Sequence, residues 1–206
     1  ENKRVQAWWE SVKRELVVEH KEVVDAFANL KNTLSSYMSQ EDIDEVEDTY
    51  LYTYFCHNYR AIDPNDRLRK DKKNHYTIHP IAVAQIWAGY KLRKETIVSS
   101  LLHDVREDTF ATPEEIYGLF GQVVGQNVED VTKIRRASRE EIEEYQLYKL
   151  YLSVKDVQDG GNLEALLIKI ADKLDNMRTL DSLKLDRQIA ISRDAYRIYA
   201  PLADRL

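Results

Sequence analysis

Turn-forming residues are scarce in this chain, which has only six glycines and four prolines among 206 residues. Glycine and proline interrupt helices and dominate reverse turns, so few of them leave little room for the many turns of a β-rich fold. Apolar residues also recur at helical intervals, for example Val12, Leu16, Val23 and Phe27. The sequence therefore predicts an all-α fold.

Helical periodicity extends over most of the chain. The segments predicted to be helical are residues 5–31, 39–62, 78–90, 94–109, 112–134, 138–156, 163–180 and 186–206. The segment 112–134 is predicted to hold two short helices, with Thr112 as the cap and Pro113 at the first helical position. Ser39 is the predicted N-cap of the second helix, because an acidic first turn follows it.

Charge, cysteine content and hydropathy exclude several classes of protein. Acidic residues exceed basic ones by 36 − 30 = 6, which argues against direct DNA binding. The lone Cys56 has no intramolecular partner, as expected for a reducing cytoplasm. No apolar run approaches the roughly 20 residues needed to span a membrane. We therefore predict a cytoplasmic protein without a membrane anchor.

The stretch SSLLHDVREDT, residues 99–109, places four ionisable side chains directly after an apolar run. Residues three or four apart on a helix share a face, so His103 would align with Glu107, and Asp104 with Asp108. One turn would then present an imidazole and three carboxylates. A solvated helix end with local salt bridges is the alternative interpretation of this stretch alone.

Two further residues favour a metal site. His79 begins an apolar helix, and Asp172 lies inside an apolar one, where an unpaired carboxylate costs several kcal/mol. A metal ion would balance that charge, and ligands from two imidazoles and two carboxylates suit Mn, Fe or Zn. The predicted core face of the Asp172 helix holds Leu166, Ile170, Leu174 and Met177. The other histidines, His20, His57 and His75, have no matching partner and are left out of the site.

Several blocks occur in the order found in one protein family. They read YTIHPIAVAQIWA, LLHDVREDT, FGQVVGQNVEDVTKI, LIKIADKLDNMRTL and IYAPLADRL. From about residue 67 onward the chain resembles the HD superfamily of metal-dependent phosphohydrolases, and most closely the hydrolase domain of RelA/SpoT homologues. The resemblance implies an all-α HD-domain helical bundle that removes the 3′-pyrophosphate of (p)ppGpp to give GDP or GTP.

The resemblance also implies roles for individual residues. The residues that match the family's metal ligands, which usually hold Mn²⁺, are His79, His103, Asp104 and Asp172. Glu107 and Asp108 match its catalytic acidic pair, Asn176 a ribose contact, and Thr179 a residue near the guanine. The base-contacting residue is either Arg69 or Lys70. Basic loops at 67–73 and 133–139 agree with an anionic substrate such as guanosine tetra- or pentaphosphate.

We therefore predict one HD hydrolase domain over residues 1–206. It would comprise N-terminal helices in 1–60, a metal-site core in 61–185, and a C-terminal helix in 186–206 leading to a fused synthetase domain. Two alternatives stay open. The first is an HD phosphohydrolase acting on another nucleotide, including NADPH, and the second is a catalytically silent nucleotide-sensing domain that regulates an attached synthetase.

Overall fold

The computed structural model describes residues 2–69, 73–135 and 162–204. Within these ranges it contains helices and two isolated β-bridges but no strand, so the all-α prediction is confirmed there. Lys70 and the predicted helix 138–156 lie outside the described residues. The chain divides into two compact units, Glu1–Glu129 and Asp130–Leu206. The prediction of one domain over residues 1–206 stays a prediction.

The first unit contains most of the helices. Their bounds are α1 Asn2–Glu15, α2 Lys21–Leu34, α3 Gln40–Tyr59, α4 Ile78–Gly89, α5 Lys94–Leu102, α6 Val105–Asp108 and α7 Pro113–Arg135, whose residues from Asp130 onward belong to the second unit. A 3₁₀ turn, Pro64–Arg67, precedes the loop to α4. Helix α4 packs against α2 and α5, and α5 packs against α3. The predicted helices at 39–62 and 78–90 are confirmed, and the Ser39 hydroxyl accepts the Asp42 N–H at 3.2 Å.

The single helix predicted over residues 5–31 is wrong, because α1 ends at Glu15 and α2 begins at Lys21. Leu16 and Val18 pack against the core from the connecting segment. The break frees the Glu19 N–H, which donates to the hydroxyl of buried Tyr54 at 3.4 Å. The two short helices thus pack separately, which one straight helix could not do.

The helix predicted over residues 94–109 is also interrupted. Helix α5 ends at Leu102, and Asp104 has φ −101° and ψ −9°, in the bridge region between helical and extended conformations. The one-turn helix α6 then starts at Val105. The prediction that His103 and Glu107 lie on one continuous helix is therefore wrong.

Helix α7 changes direction at Gly121, whose φ of 84° and ψ of 177° are not helical. Only glycine adopts this conformation without strain, because it has no Cβ. The two segments on either side of Gly121 agree with the two short helices predicted for 112–134. After the break, the Tyr117 ring lies so close to Gly125 that a Cβ there would be 2.4 Å from it.

The second unit has its own small core of Val131, Ala165 and Ile168. Its elements are α8 Leu163–Arg178, a 3₁₀ turn Leu180–Ser182, α9 Leu185–Asp194, a π-helical turn Ala195–Tyr199 and α10 Ala200–Ala203. The Asn162 side chain caps α8 by accepting the Ala165 N–H. Helix α8 confirms the helix predicted at 163–180.

The core face predicted for α8 is wrong in part. Leu166 is buried, but Leu174 is 41% exposed, whereas Lys169, Asp172 and Asp175 are buried. Side-chain hydropathy alone predicts an apolar buried face for this helix. The buried residues of α8 instead include charged side chains beside apolar ones.

Candidate metal centre

Three of the predicted metal ligands lie together in the first unit. The imidazoles of His79 and His103 and the carboxylate of Asp104 each offer one ligand atom, and these atoms lie within 4.8 Å of one another. All three residues are buried, with 0 to 4% of their surface exposed. His79 comes from the first turn of α4, while His103 and Asp104 form the bend between α5 and α6.

The distances within this cluster fit a bound metal ion. Oδ2 of Asp104 lies 3.1 Å from Nε2 of His103 and 3.6 Å from Nε2 of His79. Two ligands bonded to a metal at about 2.1 Å and about 90° apart are separated by roughly 3 Å. A positive charge nearby would also stabilise a buried carboxylate that faces two imidazoles. The cluster can therefore hold a divalent metal ion.

The protonation of His103 suits a ligand. Its Nδ1 lies 2.8 Å from the carbonyl oxygen of Ser100, and a carbonyl can only accept a hydrogen bond. Nδ1 therefore carries a proton, and Nε2 is the nitrogen that faces Asp104. An imidazole held in this way by a backbone carbonyl is the usual arrangement of a metal-binding histidine.

The predicted catalytic pair is attached to the cluster through the backbone. The carbonyl of Asp104 accepts the N–H groups of Glu107 and Asp108, each at 3.0 Å. On the other side, the Asp108 carbonyl accepts the N–H of Ile62 at 2.9 Å. Glu107 and Asp108 are half-buried on α6. Their backbone is thus fixed next to a metal-ligand candidate, while their side chains keep partial access to solvent.

A clamp of side chains supports the segment that follows Asp108. Arg60 binds both carboxylate oxygens of Glu115, at 2.8 and 3.0 Å, and donates to the Phe110 carbonyl at 2.6 Å. The Tyr52 hydroxyl and the Thr112 N–H also donate to Glu115. Sequence reasoning did not identify this clamp, whose partners are up to 63 residues apart in the chain.

The fourth predicted metal ligand, Asp172, lies in the second unit. It is 9% exposed, and its Oδ1 accepts a hydrogen bond from Nδ2 of Asn176 at 2.6 Å. The Thr179 hydroxyl donates to the backbone carbonyl of Asp175 at 3.2 Å, near the end of α8. Asn176 follows Asp172 by four residues, so the two side chains lie on the same face of α8 and form this hydrogen bond. The roles predicted for Asp172, Asn176 and Thr179 in metal and nucleotide binding stay predictions.

The two candidates for the base contact fall in the loop before α4. Arg69 is half-buried, and its N–H donates to the Asn74 carbonyl at 2.8 Å, beside the bridge between Leu68 and His75. Lys70 is not among the described residues. The choice between Arg69 and Lys70 therefore stays open.

Sequence reasoning missed two residues beside the cluster. The Tyr76 hydroxyl donates to Oδ2 of Asp104 at 2.5 Å. His57 on α3 is buried, and its ring centroid lies 4.7 Å from that of Tyr76. Burial lowers the pKa of His57 to about 3, against the opposing effect of the Asp104 charge. Tyr76 lies three residues before His79, and this spacing could have indicated that Tyr76 lies near the cluster. Nothing in the sequence around His57 indicated that it does.

The fold and this cluster agree with the comparison with protein families. The HD domain family matches residues 58–206, and the chain belongs to that family. The predicted all-α HD-domain fold class is thereby confirmed. No helix in the described ranges is long and apolar enough to cross a membrane.

Similar proteins include RelA/SpoT relatives, which confirms the resemblance noted from the motifs. The bifunctional (p)ppGpp synthase/hydrolase SpoT of Escherichia coli (strain K12) is 36% identical over 181 residues, covering 87% of this chain and 24% of that protein. The GTP pyrophosphokinase of Myxococcus xanthus is 37% identical, covering 84% of this chain and 22% of that protein. The chain thus spans about a quarter of the length of these relatives.

A solved structure shows similarity in three dimensions. A metazoan ortholog of SpoT that hydrolyzes ppGpp is 28% identical, with a TM-score of 0.54. The match covers 81% of this chain and 84% of that one.

Proposed function

We propose that this chain is a metal-dependent phosphohydrolase that removes the 3′-pyrophosphate of (p)ppGpp and yields GDP or GTP. The observation that carries the proposal is the convergence of His79, His103 and Asp104 within 4.8 Å, buried and next to an acidic pair. The names of the similar proteins, among them a SpoT ortholog that hydrolyzes ppGpp, support this substrate.

The residues proposed to hold the metal are His79, His103, Asp104 and Asp172. We propose Mn²⁺ as the ion, because nitrogen and oxygen ligands suit it and the resembling family usually holds it. When bound, such an ion lowers the pKa of a coordinated water and polarises the phosphoryl oxygen. The orientation of His103 by Ser100 keeps its Nε2 directed into the cluster.

Glu107 and Asp108 are proposed to prepare the attacking water. Either carboxylate can accept the water's proton as a general base, and the other can hold the water in line with the phosphorus. The backbone hydrogen bonds from both residues to the Asp104 carbonyl keep them within one turn of the cluster. These hydrogen bonds support a catalytic role for Glu107 and Asp108 over the alternative of a solvated helix end.

The nucleotide contacts proposed from the resemblance are Arg69 or Lys70 for the base, Asn176 for the ribose and Thr179 near the guanine. Arg69 can also contribute charge that attracts a pyrophosphate group. A fused synthetase domain and a cytoplasmic location are kept as predictions.

The decisive experiment is pyrophosphate release from ppGpp by metal-stripped protein, with and without added Mn²⁺. We expect Mn²⁺-dependent release with GDP as the other product, and no release from a Glu107→Gln, Asp108→Asn double variant. A matched control is Glu15→Gln, which changes an exposed carboxylate at the end of α1.

A substrate panel with pppGpp, NADPH and other nucleotides separates the alternatives. Hydrolysis of another nucleotide in preference to ppGpp would replace the proposed substrate. Binding of ppGpp without any turnover in Mn²⁺ would instead favour a silent sensing domain and overturn the proposal of an enzyme.

A further inference from the structure

Tyr76, two residues before α4 begins, is fixed in place. Its N–H donates to the Arg67 carbonyl at 2.8 Å, and its own carbonyl accepts the His79 N–H at 2.9 Å. Its ring lies between two histidines, with centroids 4.7 Å from His57 at 37° and 5.9 Å from His79 at 72°. Both the backbone and the ring of Tyr76 are therefore held before any metal binds.

The hydroxyl of this fixed ring donates to Oδ2 of Asp104 at 2.5 Å. Oδ2 is the same oxygen that faces Nε2 of His103 at 3.1 Å and Nε2 of His79 at 3.6 Å. Rotation about the last bond of an aspartate is broad and roughly two-fold, so a carboxylate without a fixed partner exchanges its two oxygens easily. A short hydrogen bond to one oxygen removes that freedom.

We propose that Tyr76 is a positioning residue for the metal centre, which holds the Asp104 carboxylate with Oδ2 directed at the two imidazoles. The inference rests on the metal site of the proposed function and adds a residue that touches neither the metal nor the substrate. Hydrogen bonds to ligating carboxylates generally support metal affinity in this way. Tyr76 thus preorganises the ligand atom at the centre of the cluster.

A purely structural role would have a different consequence. In that case the hydroxyl would only satisfy a buried carboxylate, and its loss would lower stability without a specific effect on metal binding. The test therefore measures Mn²⁺ affinity and thermal stability of the metal-stripped protein separately, in the absence of substrate.

The variant is Tyr76→Phe, which keeps the ring contacts and removes only the hydroxyl. We expect Mn²⁺ to bind about 10- to 100-fold more weakly by titration calorimetry. The melting temperature of the metal-stripped protein should also fall, because a buried carboxylate loses a hydrogen bond in either role, so the Mn²⁺ affinity of the folded variant decides between the two. Excess Mn²⁺ should restore most of the turnover, because a positioning residue acts through metal occupancy. A residue in direct contact with the reacting atoms would not be rescued in this way.

The matched control is Tyr54→Phe. Tyr54 is a fully buried tyrosine whose hydroxyl lies 2.9 Å from Nδ1 of His20, outside the metal cluster. Its loss should leave Mn²⁺ affinity unchanged. If Tyr76→Phe is too unstable for calorimetry at room temperature, titration of the variant and of the wild type at a lower temperature should show the same weaker Mn²⁺ binding.

Two failures are distinguishable. Equal Mn²⁺ affinity of wild-type protein and Tyr76→Phe would overturn the inference while leaving the metal site intact. Absence of Mn²⁺ binding by the wild type, with no difference from Asp104→Ala, would overturn the proposed metal site and the inference with it.

Discussion

Nε2 of His103 lies 3.1 Å from Oδ2 of Asp104, although the two residues are neighbours in the chain. Successive side chains of a continuous helix diverge by about 100°, since the helix has 3.6 residues per turn. The pair lies at the turn where α5 ends at Leu102 and α6 begins at Val105, and the φ of −101° at Asp104 departs from the value of a regular helix. The bend between α5 and α6 therefore makes two adjacent residues a joint ligand pair.

Removing the His103 imidazole should abolish most of the metal affinity. We expect His103→Asn to bind Mn²⁺ more than about 100-fold more weakly, because the loss of a ligand exceeds the loss of a supporting hydrogen bond. Titration calorimetry on the metal-stripped protein measures the effect. His20→Gln, at a histidine outside the cluster, should bind as the wild type does. An unchanged affinity of His103→Asn would remove His103 from the ligand set.

The variants Glu107→Gln and Asp108→Asn should lower the rate of hydrolysis without weakening metal binding. General acid–base catalysis contributes about 10²- to 10⁴-fold, so we expect kcat for ppGpp hydrolysis to fall by that factor in at least one of these variants. Mn²⁺ affinity should stay within a few-fold of wild type, because neither residue is a proposed ligand. Near-wild-type turnover in both variants would contradict the assigned role.

The sequence predicted the helical class and the residues of the cluster, but not the geometry that brings them together. The histidine and aspartate pattern identified His103 and Asp104, because buried ionisable groups are rare. The interruption at Asp104 was missed, since helical periodicity continues across it and a one-residue change of φ and ψ leaves no compositional signal. Tyr76 was missed because its hydroxyl reaches Asp104 across 28 residues of chain.

Asn176 offers a test of two roles at one residue. The resemblance implies a ribose contact, but Nδ2 of Asn176 donates to Oδ1 of Asp172 at 2.6 Å. We expect Asn176→Ala to weaken Mn²⁺ binding about 10-fold, because the amide orients a proposed metal ligand. Leu174→Ala, at an exposed position of the same helix, is the control. A raised KM with unchanged Mn²⁺ affinity would assign Asn176 to the nucleotide alone.

His75 should make the folded protein sensitive to acid. Burial, reinforced by the neighbouring His20 and Arg67 and opposed by Glu22, lowers the pKa of His75 from 6.5 to about 4. Between these values the unfolded chain binds more protons than the folded one, so the free energy of unfolding rises with pH. The stabilisation is complete above pH 6.5 and is lost as the pH falls toward 4.

The measurement is urea denaturation of metal-stripped protein at several values of pH between about 4 and 6.5, the two pKa values that define the shift of His75. In His75→Asn the amide oxygen can accept the Thr77 N–H that Nδ1 accepts in the wild type. Its stability should fall less steeply with acid, by up to about 1.4 kcal/mol per pH unit for one proton. The pKa of His57 is also lowered, to about 3, so His57 contributes to the dependence of the free energy of unfolding on pH in both proteins. Superimposable pH profiles would contradict the prediction.

The clamp of Arg60 on Glu115 should matter for both stability and turnover. Arg60→Met keeps an apolar side chain against Trp8, whose ring the guanidinium faces at 5.6 Å, but leaves a largely buried Glu115 without its cation. We expect a loss of about 2–4 kcal/mol in the free energy of unfolding, since breaking a buried pair strands the other charge. Turnover should also fall, because Arg60 holds the Phe110 carbonyl just after Asp108.

An exposed ion pair provides the contrast. Lys21 pairs with Asp25 on α2, with 85% and 57% of the two side chains exposed. Lys21→Met should therefore change stability by less than about 0.5 kcal/mol, as is usual for surface pairs. Urea denaturation of both variants gives the two free energies side by side. Equal, small losses would mean that Glu115 is adequately held by Tyr52 and Thr112, and that Arg60 does not anchor the segment after Asp108.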